Sequence, residues 1–340
     1  MRYSDEILDE IREKLDIVEV ISEYVALRPA GRGYKGLCPF HQEKTPSFMV
    51  DPDKQIFHCF GCGEGGNIFS FIMKIEKINF PEAVKTLAEK ANISLPEPNQ
   101  QNNKFFQEKE LIFRLNEITA QYYQRNLASV VGKRALDYLL KRHFNREIIQ
   151  TFRLGFALPG YYDLTHFLLK QKFSGQDLVR AGLATRSRKN NQLIDYFRDR
   201  IIFPIVNPQG KYIAFGGRVL GSQLPKYINS PETPVYKKGN NLYGFFQARK
   251  TIRETNKVII VEGYTDTIVA HQAGFKNVVA SLGTALTDKQ VNLIKRYADE
   301  VIIAFDADKA GQNAALRSLD LVKKAGLKVS VLALPGESDP

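Results

Sequence analysis

Cysteine is scarce in this chain: three residues among 340, all between positions 38 and 62. Three clustered cysteines are too few for a disulfide framework and point to a metal instead. Long apolar runs are missing as well. Nowhere do 18 apolar residues follow one another, so no membrane-spanning helix is expected. The acidic, amphipathic start, MRYSDEILDEIREKLDIVEVISEYV, fits neither a signal peptide nor a basic targeting helix, and a cytoplasmic location is expected. No G-x-x-x-x-G-K-[ST] stretch occurs, which leaves a P-loop ATPase unsupported. Internal repeats and low-complexity segments are absent too.

Positive charge is present, and unevenly. The formal net charge is +11. Residues 1–97 carry 12 Lys and Arg against 16 Asp and Glu, and residues 256–340 are balanced at 10 each. Residues 98–255 carry 26 against 11, so the whole excess lies there and suggests a polyanion partner.

A chain of 340 residues calls for two or three domains. The polar stretch LPEPNQQNNK (95–104) breaks the apolar pattern and reads as an exposed linker. We divide the chain into a metal-binding domain (1–97), a linker (98–112), a basic region (113–255) and a final region (256–340). A helical pattern runs from Phe105 to about Leu127, and RIIFPIVNPQGKYIAFGGRVL reads as two strands joined by a turn. From 256 onward, apolar runs alternate with helical segments: KVIIVEG, NVVASLG, EVIIAFDAD and LKVSVLALP. That alternation predicts βαβ units and a parallel sheet buried on both faces. The fold class expected is multidomain, α+β followed by α/β.

Cys38-x2-His41 and Cys59-x2-Cys62 form two chelating turns, a pattern suited to one closed, structural tetrahedral Zn2+. His58 is a rival ligand, but neighbouring residues on a strand face opposite ways, so His41 is preferred over the residue beside Cys59. Phe40, Phe48, Phe57 and Phe60 are read as the core of this domain, with Lys35, Lys44 and Lys54 available to nucleic acid. A second constellation is acidic. Glu262 ends one apolar run, Asp306 and Asp308 end another, and Asp266 lies one helical turn past Glu262. Open parallel sheets place function beyond the carboxyl ends of their strands. Converging carboxylates need divalent cations, and two Mg2+ or Mn2+ ions suit phosphoryl transfer. Asp266 is equally readable as a helix cap.

The stretches CPFHQEKTPSF and FHCFGCGEGGNIFSF resemble the zinc-ribbon-type domain of the bacterial replicative primases (DnaG type). EGYTD, VVASLGT and FDADKAG resemble that family's Toprim domain, and FPIVNPQGKYIAFGGRVL with PKYINSPETPVYKKGNNLYGF its polymerase-domain segments. The resemblance implies a DNA primase, a nucleotidyltransferase making RNA primers from NTPs on single-stranded DNA at the replication fork. It implies zinc on Cys38, His41, Cys59 and Cys62, and catalytic metal on Glu262, Asp306 and Asp308, with Asp266 supporting and Asp339 matching a further acid. Template or nucleotide contacts fall on Arg218, Lys226, Asn229 and Lys238, with Arg142, Arg198 and Arg200 in matching segments. His143-Phe144 stands where the family has Gly-Leu. At LPGESDP the family continues with the rest of Toprim and a helicase-binding domain, so a fragment with an incomplete Toprim subdomain is expected, acting as a monomer. The rival readings are a Toprim nuclease or topoisomerase-like strand cutter, and a non-catalytic zinc-dependent DNA-binding protein.

Overall fold

The computed structural model describes residue 3 and residues 5–95, 100–221, 224–282, 285–305 and 309–332. It divides into two compact units, 1–107 and 108–340. In the first, α1 (Asp5–Lys14) and α2 (Ile17–Ser22) precede the strands β1 (Arg28–Ala30), β2 (Gly33–Gly36), β3 (Phe48–Asp51), β4 (Ile56–Cys59) and β5 (Gly65–Gly66), then α3 (Ile68–Ile75) and α4 (Phe80–Lys90). The strands pair antiparallel in sequence order. Local chemistry starts three of these helices: Asp16 caps α2, Asn67 caps α3, and Asn79 with Glu82 forms a capping box on α4. Phe48, Phe57 and Phe71 fill the interior with aliphatic side chains from the helices.

A single helix α5 (Gln100–Ala128) follows. Residues 100–112, expected as linker, are therefore its first turns; the apolar period that begins at Phe105 extends back through polar residues that are compatible with a helix. Next come α6 (Lys133–Lys141), α7 (Arg146–Thr151), β6 (Gly155–Ala157), α8 (Asp163–Lys170), α9 (Gly175–Arg180), β7 (Ala184–Arg186) and β8 (Leu193–Asp195). Strands β9 (Arg200–Val206), β10 (Tyr212–Val219) and β11 (Tyr227–Asn229) join β6 in an antiparallel sheet of order β11-β10-β9-β6. The β9–β10 hairpin is the one expected from NPQG: Asn207 Oδ1 accepts from the N–H groups of Gln209 and Lys211, and Gly210 takes φ +90°.

The remaining elements are α10 (Phe245–Thr255), β12 (Lys257–Val261), α11 (Tyr264–Gln272), β13 (Val278–Ala280), α12 (Asp288–Lys295), β14 (Glu300–Ile303), α13 (Lys309–Lys324) and β15 (Lys328–Val331). All strand pairs of the sheet β13-β12-β14-β15 are parallel, as the alternation predicts. Tyr243 exchanges two backbone hydrogen bonds with Ala280 and so pins the end of the basic region to the edge of this sheet. Among the described residues no helix is long and apolar enough to cross a membrane.

Candidate metal centre and nucleotide site

The hairpin and turns around β3 and β4 bring Cys38, His41, Cys59 and Cys62 together, with one ligand atom from each lying within 4.8 Å of the others. Cys38 Sγ and Cys62 Sγ are 3.8 Å apart, far beyond a disulfide bond. Sulfurs on a tetrahedral zinc, with bonds of about 2.3 Å, stand about 3.8 Å apart, so the donor set and its spacing fit that ion. His41 Nδ1 is 3.8 Å from Cys59 Sγ. Burial pushes the Cys38 thiol up. Burial opposes the Cys59 thiolate as well, yet the Ser47 hydroxyl and the N–H groups of Cys62 and Gly61 bring it down. A bound cation would hold these sulfurs as thiolates. Gly61 is required here, because a Cβ would stand 2.6 Å from His41 Nε2.

Strand alternation decides the rival ligand. Phe57 and Cys59 point inward while Ile56 and His58 are exposed on the opposite face, so His58 is excluded from the cluster. The same alternation corrects the reading of Phe60: it is 75% exposed, with its ring 4.7 Å from that of His58, and is no part of the core. Phe48 and Phe57 are buried as expected, and Phe40 packs against them.

Glu262 follows directly on β12, and the β14 segment hydrogen-bonded to that strand continues through Ala304, whose N–H donates to Ile260 O, to Phe305. Asp306, Asp308 and Asp339 lie outside the described residues. Asp266 sits in the first turn of α11, where its Oδ2 accepts from Gly263 N at 2.9 Å, so the cap reading holds for this carboxylate. The alternation of strand and helix carries Glu262 to a strand end, and an oxygen donor there suits a hard cation.

The basic residues meet this turn through an aromatic stack. Tyr264 lies buried against Phe203, Tyr227 and Tyr243 and donates from its hydroxyl to Asn229 Oδ1 at 2.5 Å. A Cβ at Gly216, opposite Asn229 on β10, would fall on the Tyr264 ring, so glycine is required there. Arg218 is 6% exposed, lies between the rings of Tyr138 and Tyr227 at 5.6 and 5.1 Å, and donates to Tyr227 Oη. Its Nε has no hydrogen-bond partner among the described residues. Lys226 is exposed; Lys238 is half-buried in a turn held by α12, where Thr287 Oγ1 donates to Gly239 O and Gln290 Nε2 to Asn241 O. Arg142 ends α6 and donates to Tyr138 Oη at 3.2 Å. The glycine expected after it is replaced by His143, which takes φ +65°, the left-handed conformation a glycine would favour. Gln272 of α11 clamps that turn through His143 O and Asn145 N.

Arg198 and Arg200 diverge. Arg198 lies over the exposed Tyr161 ring at 4.9 Å. Arg200 is buried and donates to the carbonyls of Gly217, Pro225 and Lys226. It therefore props the segment bearing Lys226. Sequence reasoning missed Tyr138, Tyr227, Thr287 and Gln290, which act only through tertiary neighbours. It also missed Glu43, whose one signal was an acid placed between two metal ligands.

Comparison with known proteins matches three stretches of the chain. The CHC2 zinc finger matches residues 3–103, the N-terminal domain of the DNA primase catalytic core residues 122–249, and the Toprim domain residues 256–333. A DNA primase of Halalkalibacterium halodurans is 46% identical over 340 residues, covering 100% of this chain and 57% of the relative. One of Clostridium acetobutylicum is 45% identical, covering 99% and 56%. The chain thus spans little more than half the length of these relatives. The crystal structure of the zinc-binding and RNA polymerase domains of the Aquifex aeolicus primase aligns at 36% identity and a TM-score of 0.64, covering 99% of this chain and 81% of that one. A DnaG primase catalytic domain bound to single-stranded DNA aligns at 35% identity and 0.64, covering 68% of this chain and 74% of that one. The zinc finger, catalytic core and Toprim domain stand in the order these proteins share, and the chain belongs to the DnaG-type DNA primase family.

Proposed function

We propose that the chain synthesises short RNA primers on single-stranded DNA from nucleoside triphosphates. The observation that carries the reading is the bond from Tyr264 Oη to Asn229 Oδ1, which couples the turn bearing Glu262 to the edge of the basic sheet. Glu262, with Asp306, Asp308 and Asp339 as expected co-ligands, would hold a divalent cation, which would supply charge neutralisation for the triphosphate and activation of the attacking hydroxyl. The chain's own residues bind and orient. Arg218, within cation–π reach of two tyrosines, offers its guanidinium to phosphate. Lys226 and Lys238 add point charges at the same edge. Asn229 has its oxygen occupied by Tyr264, so what its side chain has left to offer is a donor.

The exposed face of the first unit's sheet takes the template in this reading. Arg28, Lys35, Met49 and His58 pair across it in one row, with Phe60 beside His58. Cations beside an exposed aromatic ring suit a single strand, which offers phosphates and unstacked bases. A replicative helicase partner, a monomeric state and a place at the replication fork belong to the same reading and rest on family membership alone.

The test is incubation with single-stranded template, labelled NTPs and Mg2+ or Mn2+. Short labelled RNA is the expected product. Shortened DNA without RNA identifies a strand cutter instead, and template binding without either product identifies a non-catalytic binding protein.

A further inference from the structure

The loop between β2 and β3, residues 37–47, carries two metal ligands but no regular structure to hold them. Its polar groups converge on one acid. Glu43 Oε1 accepts from the N–H groups of Cys38 at 2.7 Å and Ser47 at 3.1 Å. Its Oε2 accepts from the Ser47 hydroxyl at 2.5 Å and lies 3.3 Å from His41 Nε2. Ser47 Oγ is in turn 3.2 Å from Cys59 Sγ. One carboxylate, with its side chain only 10% exposed, thus reaches Cys38 and His41 directly and Cys59 through a single hydroxyl.

We propose that Glu43 is the positioning residue of the metal centre, orienting three of its four ligand residues from outside the ligand set. The inference rests on the reading of the cluster as a zinc site. Glu43 is not itself a rival ligand, because two N–H groups, a hydroxyl and an imidazole edge already occupy its oxygens. A proton on His41 Nε2, facing Glu43, leaves the Nδ1 lone pair for the metal and fixes the orientation of the ring. The N–H of Cys38 loses its acceptor if Glu43 is removed, and with it the orientation of the first ligand. With its one proton on Glu43, the Ser47 hydroxyl fixes where its oxygen stands against the Cys59 sulfur across the loop.

Cobalt(II) loaded into the full chain tests this, since its visible bands report ligand geometry and thiolate character independently of any activity. Glu43→Gln keeps size and shape but weakens the contact with His41; Ser47→Ala removes only the arm to Cys59. We expect release to a chelator to be about 10- to 100-fold faster for E43Q and up to about tenfold faster for S47A, with shifted cobalt bands and an unchanged helical circular dichroism signal. Faster release with shifted bands in either variant supports the role. Wild-type bands and release rates in both variants overturn it. A wild-type chain that takes up neither cobalt nor zinc overturns the zinc reading itself, a distinguishable failure.

Discussion

In residues 1–107 the strands are two to four residues long and close over a small aromatic interior, whereas in residues 108–340 β9 and β10 run seven and eight residues with nearly every side chain buried. The larger unit carries three hydrophobic clusters joined by layered sheets and helices. The smaller one carries a single cluster in which Cys38 and Cys59 are themselves buried members. Metal binding at those sulfurs is therefore tied to the closing of the smaller unit's interior. In the larger unit the antiparallel β9–β10 pair closes its core with hydrophobic side chains.

The strongest way to break this contrast is to remove the metal. Chelation, or Cys59→Ala, is expected to cost the first unit on the order of 10 kcal/mol and abolish its melting transition, while the transition of the second unit stays in place. Calorimetry with and without chelator checks it; a shared loss of both transitions breaks the contrast. Glu262→Gln should do the reverse, lowering primer synthesis by about 10^2- to 10^3-fold with melting and template binding intact, as assayed by labelled NTP incorporation. Arg218→Ala is expected to weaken nucleotide or template binding about tenfold and to flatten the salt dependence of binding by about one charge. Arg218→Lys should not restore binding, because an ammonium cannot stack between Tyr138 and Tyr227 as a guanidinium does.

Smaller effects sharpen the comparison. Phe60→Ala should cost template affinity about 1 kcal/mol in a fluorescence titration without shifting the melt, since the ring is exposed. His271, buried on α11 and bonded to Val278 O, is held below the usual imidazole value first by desolvation. Its depressed folded value means that stability is present above the unfolded pKa and drains away as pH falls through the folded one. Melts from pH 7.5 down to 5 should show this decline in the second unit, and His271→Gln should reduce it.

Legibility in the sequence followed the range of the physics involved. The ligand spacing of Cys38, His41, Cys59 and Cys62 is local, and strand alternation was enough to reject His58. The parallel sheet announced itself through apolar runs alternating with helices. Phe60 was misread because its place on the exposed face depends on the register of β4. The propping role of Arg200 was not legible because its carbonyl partners at Gly217, Pro225 and Lys226 are 17 to 26 residues away in sequence. Asp266 remained ambiguous until its carboxylate was seen on Gly263 N.

By itself the sequence determined which four residues form the paired chelating turns and where the strand-end acid Glu262 falls, because turns and strand ends are set by neighbours along the chain. Only the tertiary structure decided which arginine is presented and which is a prop, that Tyr264 joins Asn229 to the acidic turn, and that Glu43 gathers the zinc loop. Those assignments depend on hydrogen bonds and ring contacts between groups that meet only once the chain has folded back on itself.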